Sequence, residues 1–151
     1  MELDAVKMFS EARLKVRISR RDKSIESLAD DVEKGLSSNP KTLPAKYFYD
    51  KAGSKIFEEI CNLPEYYLTR TEYAILNRYA REIANNFDRK VTLIELGSGN
   101  SIKTRLIIEA FLKLFEKLHY MPIDISRSML VESAKSLLND YSSLKITALV
   151  S

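Results

Sequence analysis

Apolar residues follow a helical period in the first part of the chain and form short, strand-like runs in the second part. In the first part, apolar residues three or four positions apart predict helices that begin at Ser24, Ser54 and Glu65. The third of these helices is predicted to end at Asn85. We therefore predict a mainly helical N-terminal region over residues 1–87.

The second part of the chain alternates strands with helices. The predicted elements are, in order, a strand at 91–96, a helix at 101–118, a strand at 120–125, a helix at 126–141 and a strand at 145–150. This order is typical of a parallel, doubly wound α/β sheet. Such sheets rarely stop at three strands. We therefore expect residues 88–151 to be the first half of a larger domain in a longer protein, with one edge of its first strand unpaired.

Composition narrows the classes of protein that this chain can represent. It has 151 residues, 45% apolar and 30% charged, and a net charge of +3, which is typical of a globular protein. One cysteine and one histidine exclude a disulfide framework and a zinc site built from several such ligands. No apolar run approaches the roughly 20 residues of a membrane span, and residues 1–4 do not resemble a signal peptide. We expect a cytoplasmic protein without a membrane partner.

Basic residues are concentrated between Arg13 and Lys23, a stretch that could bind nucleic acid. Leu14, Val16 and Ile18 alternate with these basic residues, which instead predicts a short, half-exposed strand or a terminal segment. The stretch also lacks the stacking aromatic residues of single-strand binders. We therefore expect no nucleic-acid partner.

A glycine-rich loop, Gly97-Ser98-Gly99, follows the strand at 91–96 and could hold either of two ligand classes. A phosphate-binding P-loop requires Gly-x-x-x-x-Gly-Lys-Ser/Thr. Gly97, Lys103 and Thr104 match this motif, but Ile102 stands where the second glycine is required. A β-branched residue there opposes the backbone conformation that wraps phosphates, so the P-loop interpretation is disfavoured.

A nucleoside site requires glycines at the end of one strand and an acidic residue at the end of the next. Glu95 precedes the glycine loop, and Asp124 ends the second strand of this part. Because Ile102 also replaces the third glycine of the dinucleotide motif, the pattern favours a ligand without a pyrophosphate, such as S-adenosylmethionine (SAM). A glycine turn that binds no ligand remains the alternative.

Five motifs of the chain resemble the histidine-specific SAM-dependent methyltransferase family over residues 42–83 and 91–125. The motifs are LPAKYFYD (43–50), GSxxFEEI (53–60), LPEYYxTRTE (63–72), ELGSGxSxKTR (95–105) and PxDxS (122–126). The resemblance implies a Rossmann-like class I methyltransferase fold and SAM as cofactor. It also implies methylation of the α-amino group of an amino acid, most characteristically L-histidine in ergothioneine biosynthesis.

The loop pattern and the resemblance together give a set of candidate site residues. The cofactor-binding candidates are Glu95, Gly97, Ser98, Gly99, Lys103 and Asp124. The resemblance implies that Tyr66 contacts the substrate amino acid and acts in catalysis, and that Tyr49 and Phe57 border the same pocket. No metal ligand is implied.

Methyl transfer is an in-line displacement by a neutral amine, so positioning and deprotonation of the amine carry most of the work. A tyrosine hydroxyl such as that of Tyr66 can orient the amine, and an aromatic face suits a cationic ligand. Because the family's remaining site residues follow position 151, we expect residues 1–151 alone to be inactive. The alternative is a non-catalytic nucleotide-binding module or remnant that uses the loop at 97–104. A tryptophan-derived substrate also remains open, and His119 is expected to be structural.

Overall fold

The computed structural model describes residues 9–19, 27–88 and 90–151, which form a mixed α/β structure around one sheet. The strands are β1 (Phe9–Glu11), β2 (Leu14–Ile18), β3 (Thr92–Leu96), β4 (Leu118–Asp124) and β5 (Leu144–Val150). Their order across the sheet is β1-β2-β5-β4-β3. Neighbouring strands are parallel except for β1 and β2, which are antiparallel.

Among the described residues, three α-helices and a short 3-10 helix precede β3 in the chain, and one α-helix precedes each of β4 and β5. They are α1 (Leu28–Ser37), a short 3-10 helix (Ala45–Phe48), α2 (Lys51–Cys61), α3 (Leu68–Asn85), α4 (Thr104–Phe115) and α5 (Arg127–Asp140). Helix α3 packs against α4, α4 against β4, and α5 against β5. The predicted strand–helix–strand–helix–strand order and the parallel sheet are confirmed. No helix in the described part of the chain is long and apolar enough to span a membrane.

Helix starts differ from the prediction because capping residues set them. Ser24, the predicted cap of the first helix, lies outside the described residues, and α1 begins after Ser27, which forms a capping box with Asp30. Helix α2 begins before Ser54, because the carboxylate of Asp50 accepts a hydrogen bond from Gly53 N at 2.7 Å.

The helix predicted over 101–118 is shorter at both ends, because residues with a left-handed backbone flank it. Ser101 has φ 56° and Glu116 has φ 60°, and neither value is compatible with a continuing right-handed helix. Helix α4 therefore runs only over Thr104–Phe115. Helix α3 begins at Leu68, later than the predicted Glu65, because residues 62–67 form turns around Pro64.

The basic N-terminal stretch contributes a strand to the sheet, as its alternation predicts. Strand β2 pairs with β5, and Leu14 and Val16 are buried. Arg20, Arg21 and Lys23 lie outside the described residues. The guanidinium of Arg13 caps the end of α5: Nη1 donates to Tyr141 O at 2.8 Å and Nη2 donates to Leu138 O at 2.9 Å.

The two faces of the sheet differ in how well they are covered. On the face covered by α4 and α5, a buried row crosses the sheet in register through Tyr120, Ile146 and Leu14. On the other face, Ile94 and Leu96 of β3 are exposed, Leu96 to 80%. Strand β3 pairs only with β4 within the described residues, so its outer edge is unpaired there, as predicted.

Candidate functional site

The glycine loop between β3 and α4 has an unusual backbone. Gly97, Gly99 and Ser101 all have left-handed φ angles, of 67°, 50° and 56° respectively. Glycine adopts this conformation without a steric penalty, whereas a serine is strained by roughly 1–2 kcal/mol. The loop is tied to the next strand by Gly97 N, which donates to Ile123 O at 2.8 Å.

Asp124 lies at the carboxyl end of β4, next to this loop. Its Oδ2 accepts from Gly99 N at 2.8 Å, and its Oδ1 accepts from Ser126 N at 2.8 Å. The carboxylate thus links the glycine loop to the start of α5. A carboxylate has about four acceptor positions, so Asp124 can still accept hydrogen bonds from a ligand.

The side chain of Glu95 is hydrogen-bonded within the protein. Its Oε1 accepts from Thr104 Oγ1 at 2.6 Å, and its Oε2 accepts a short hydrogen bond from the hydroxyl of Tyr120. The Tyr120 hydroxyl is also 3.1 Å from Ser101 Oγ. Burial, and then the negative charge of Glu95, raise the pKa of Tyr120 well above its ordinary value. Tyr120 therefore keeps its proton at neutral pH.

The glycine loop contains a buried polar atom without a partner and, at its two glycines, backbone beside open space. Ser98 Oγ is the one buried side-chain N or O atom without a hydrogen-bond partner among the described residues. A Cβ atom added at Gly97 or at Gly99 would meet no described atom within 4 Å. A buried hydroxyl without a partner costs free energy, and glycines beside open space let a ligand approach the backbone closely.

Two helices of the N-terminal region contact the glycine loop. Lys103 forms an ion pair with Glu72 of α3, and Asn100 Nδ2 donates to Glu58 Oε1 of α2 at 3.1 Å. The Lys103–Glu72 pair is partly exposed, and such pairs contribute only about 0–1 kcal/mol. Lys103 can therefore leave Glu72 for another anionic partner at little cost.

Two of the three predicted substrate residues are in contact. The rings of Phe57 and Tyr66 meet edge to face, with centroids 5.9 Å apart. Arg70 fixes the turn that presents Tyr66, because its guanidinium donates to Leu63 O at 2.8 Å and to the Pro64 carbonyl at 2.6 Å.

The third predicted substrate residue, Tyr49, lies in a different place. It lines a groove of about 760 Å³ with Ser126, Arg127 and Ser128 at the start of α5. This groove adjoins the carboxyl end of β4, where Asp124 lies. Tyr49 thus approaches the site from the side of α5, whereas Phe57 and Tyr66 belong to α2 and the turn before α3.

Comparison with known proteins decides the family. Residues 28–151 match the family described as histidine-specific, SAM-dependent methyltransferases. The chain belongs to this methyltransferase family. It is 42% identical over 122 residues to a histidine N-alpha-methyltransferase of Mycobacterium tuberculosis, a match covering 81% of this chain and 38% of that protein.

Two further relatives in the same comparison come from fungi. An ergothioneine biosynthesis protein 1 of Schizosaccharomyces pombe is 36% identical, and the match covers 71% of this chain and 14% of that protein. A 4-dimethylallyltryptophan N-methyltransferase of Claviceps purpurea is 31% identical, with 74% of this chain and 33% of that protein covered. The chain thus spans well under half the length of these relatives.

SAM is the cofactor of the methyltransferase family, and the loop described above fits it. The unpaired Ser98 hydroxyl and the open backbone at Gly97 and Gly99 are features that a bound ligand would use. Lys103 is suited to a carboxylate and Asp124 to the hydroxyls of a ribose. SAM presents both kinds of group.

Sequence reasoning missed several residues that support this methyltransferase loop and the neighbouring turn. Glu58, Arg70, Glu72 and Tyr120 were not assigned, although the first three lie inside the motifs that carry the resemblance. Tyr120 lies in the strand just before the PxDxS motif. The Tyr120 hydroxyl meets the Glu95 carboxylate only because β4 pairs with β3 in one particular register. That register cannot be read from the linear sequence.

Proposed function

We propose that this protein acts as a SAM-dependent N-methyltransferase of the α-amino group of an amino acid, with L-histidine as substrate. The observation that carries the proposal is the glycine loop, held by Asp124 and offering the unpaired Ser98 hydroxyl beside open backbone. Membership of the family and the similarity to the mycobacterial histidine N-alpha-methyltransferase support the choice of histidine.

On the cofactor side, we assign binding to Gly97, Ser98, Gly99, Lys103 and Asp124. When bound, SAM supplies an electrophilic methyl group on a sulfonium. Asp124 would accept hydrogen bonds from ribose hydroxyls while it continues to hold Gly99 N. Lys103 would exchange Glu72 for the carboxylate of the cofactor, which the weakness of an exposed ion pair permits.

On the substrate side, we assign the positioning of the amine to Tyr66. The edge contact with Phe57 and the fixed turn at Leu63–Tyr66 hold its ring, so that its hydroxyl can orient the lone pair of a neutral amine. Phe57 adds an apolar wall. Tyr49, at the groove beside α5, is assigned to the rim of the same pocket, where it meets the substrate from the other side.

The same proposal covers the division of the chain into two regions. We assign residues 88–151 to the first half of a Rossmann-like class I methyltransferase domain and residues 1–87 to a substrate-side region. Strand β2 of the first region lies in the same sheet as β3, β4 and β5. The boundary therefore separates two roles rather than two folding units. A cytoplasmic location stays a prediction of the sequence.

An activity assay of the protein as the cell makes it tests this function. The protein is incubated with SAM and L-histidine, and the products are analysed by mass spectrometry. L-tryptophan and histamine, which has no carboxylate, serve as comparison substrates. We expect methyl groups on the α-amino nitrogen of histidine and none on histamine.

Methylation of tryptophan but not of histidine would contradict histidine as the substrate. It would still support SAM-dependent N-methylation of an amino acid. Absence of any methylation, together with binding of a nucleotide, would favour a non-catalytic module. A Tyr66→Phe variant is expected to reduce kcat by about tenfold or more, in the range for loss of one positioned group. Tyr73→Phe is the matched control, since Tyr73 lies on α3 with an exposed side chain.

A further inference from the structure

A chain of hydroxyl groups runs beneath the glycine loop and ends on Glu95. Tyr120 has a single hydroxyl proton, which it donates to Glu95 Oε2. The contact between Ser101 Oγ and the Tyr120 hydroxyl must therefore use the serine proton, with the tyrosine oxygen as acceptor. Thr104 donates to the other carboxylate oxygen of Glu95. The Glu95 carboxylate thus orients the Thr104 hydroxyl directly and the Ser101 hydroxyl through Tyr120.

This chain of hydroxyls stabilises a strained position. Ser101 is 2% exposed and has φ 56°, a backbone conformation that non-glycine residues rarely adopt. Its hydrogen bond to Tyr120 and the bond from Ser101 N to Ser98 O at 3.0 Å hold it there. Ser101 then sets the direction in which the backbone leaves the loop and enters α4.

The position of Tyr120 gives this arrangement its rigidity. The side chain is completely buried in the core row of the sheet, so its hydroxyl has little freedom to move. The hydroxyl reaches from β4 to Glu95 on β3 and to Ser101 in the loop. It is therefore a fixed point to which both ends of the glycine loop are connected.

We propose that Tyr120, acting through Glu95 and Ser101, is a positioning residue that holds the glycine loop in the conformation that binds the cofactor. Glu95 takes the same role, because its two carboxylate oxygens accept hydrogen bonds from Thr104 at the start of α4 and from Tyr120 on β4. The inference rests on the proposed function, since it takes the glycine loop to be the SAM site.

The test measures the affinity for S-adenosylhomocysteine by calorimetry in the protein as the cell makes it. Tyr120→Phe keeps the buried ring and removes the hydroxyl, and we expect the affinity to fall about tenfold or more. Tyr141→Phe is the matched control, because its hydroxyl donates to Glu109 at 2.7 Å between α4 and α5, away from the loop. The control is expected to bind as the unmodified protein does.

A second variant separates positioning from general destabilisation. Ser101→Gly removes the hydroxyl and also relieves the left-handed strain, so a purely structural role predicts equal or tighter binding. We expect weaker binding in this variant as well, together with faster amide hydrogen exchange at residues 97–103. Ser101→Gly also decides the question if Tyr120→Phe fails to fold.

Wild-type affinity in both Tyr120→Phe and Ser101→Gly would overturn the inference and leave the proposed function intact. Failure of the unmodified protein to bind S-adenosylhomocysteine would overturn both. Weaker binding in the two variants, with an unchanged control, would establish the positioning role.

Discussion

At the scale of single residues, the proposed site combines residues that we assign to the cofactor with side chains that hold the loop. The contact between Asp124 and the loop of Gly97 and Gly99 could be predicted from the sequence, because glycines and an acidic residue at neighbouring strand ends form a local pattern. The role of Tyr120 could not be assigned in this way, because the hydroxyl acts across two strands and into a loop. Only the register of β3 against β4 brings it to Glu95.

His119 gives a prediction about pH at this scale. Burial lowers the pKa of His119, and the positive charges of Lys145 and Lys15 lower it further. The unfolded chain therefore binds a proton more readily than the folded one. The stability that depends on a neutral His119 is present above the ordinary pKa of about 6.5 and is lost as the pH falls below it.

Urea unfolding between about pH 7.5 and about pH 5.5 checks this prediction, since His119 is the single histidine of the chain. We expect the free energy of unfolding to decrease toward the acidic end in the wild type. The decrease should be smaller in His119→Asn, whose side chain does not titrate. Equal pH dependence in the two proteins would show that His119 is not responsible.

At the scale of elements, periodicity was sufficient to predict the types and order of helices α1 to α5 and of strands β2 to β5, but it did not predict β1 or the short 3-10 helix. It was not sufficient for their ends, which depend on single groups outside the repeating pattern. Asp50 starts α2 by capping it, and the left-handed Ser101 and Glu116 limit α4. The packing of α2 and α3 onto the loop, through Glu58 and Glu72, depends on tertiary contacts that periodicity does not encode.

Arg13 gives a prediction about the attachment of β2 to α5. Its guanidinium donates to the Leu138 and Tyr141 carbonyls at the end of the helix, where a positive charge is favourable. We expect Arg13→Ala to lower the free energy of unfolding by about 1–3 kcal/mol, in the range for hydrogen bonds from a charged group.

Arg17→Ala is the matched control for this change. Arg17 lies on β2, just after the turn that contains Arg13; its side chain is exposed, and within the described residues it has no hydrogen bond or ion pair. Chemical denaturation of the two variants measures the difference. An equal loss of stability in both would mean that Arg13 contributes through charge alone and not through the cap.

At the scale of the whole molecule, apolar side chains of β3 and of α3 are left exposed. Strand β3 has an unpaired outer edge in the described part of the chain, and Ile94 and Leu96 are exposed on its uncovered face. On α3, Ile75, Tyr79 and Ile83 are also exposed. An exposed strand edge beside apolar side chains promotes pairing with another chain.

We therefore predict that the 151-residue polypeptide associates with itself as its concentration rises, and that Ile94→Lys reduces this association. Asn139→Lys adds the same charge at an exposed position of α5 and is the control. Sedimentation velocity over a range of concentrations measures the effect. Association that persists unchanged in Ile94→Lys would place the contact on a different surface.

The central claim is that the loop between β3 and α4 binds SAM. Calorimetric titration of S-adenosylhomocysteine into the protein as the cell makes it, with Mg-ATP as the comparison ligand, tests it most directly. We predict saturable binding of S-adenosylhomocysteine alone, about tenfold weaker in Lys103→Ala and unchanged in Lys113→Ala, whose exposed side chain lies further along α4. Binding of Mg-ATP without binding of S-adenosylhomocysteine would contradict the account.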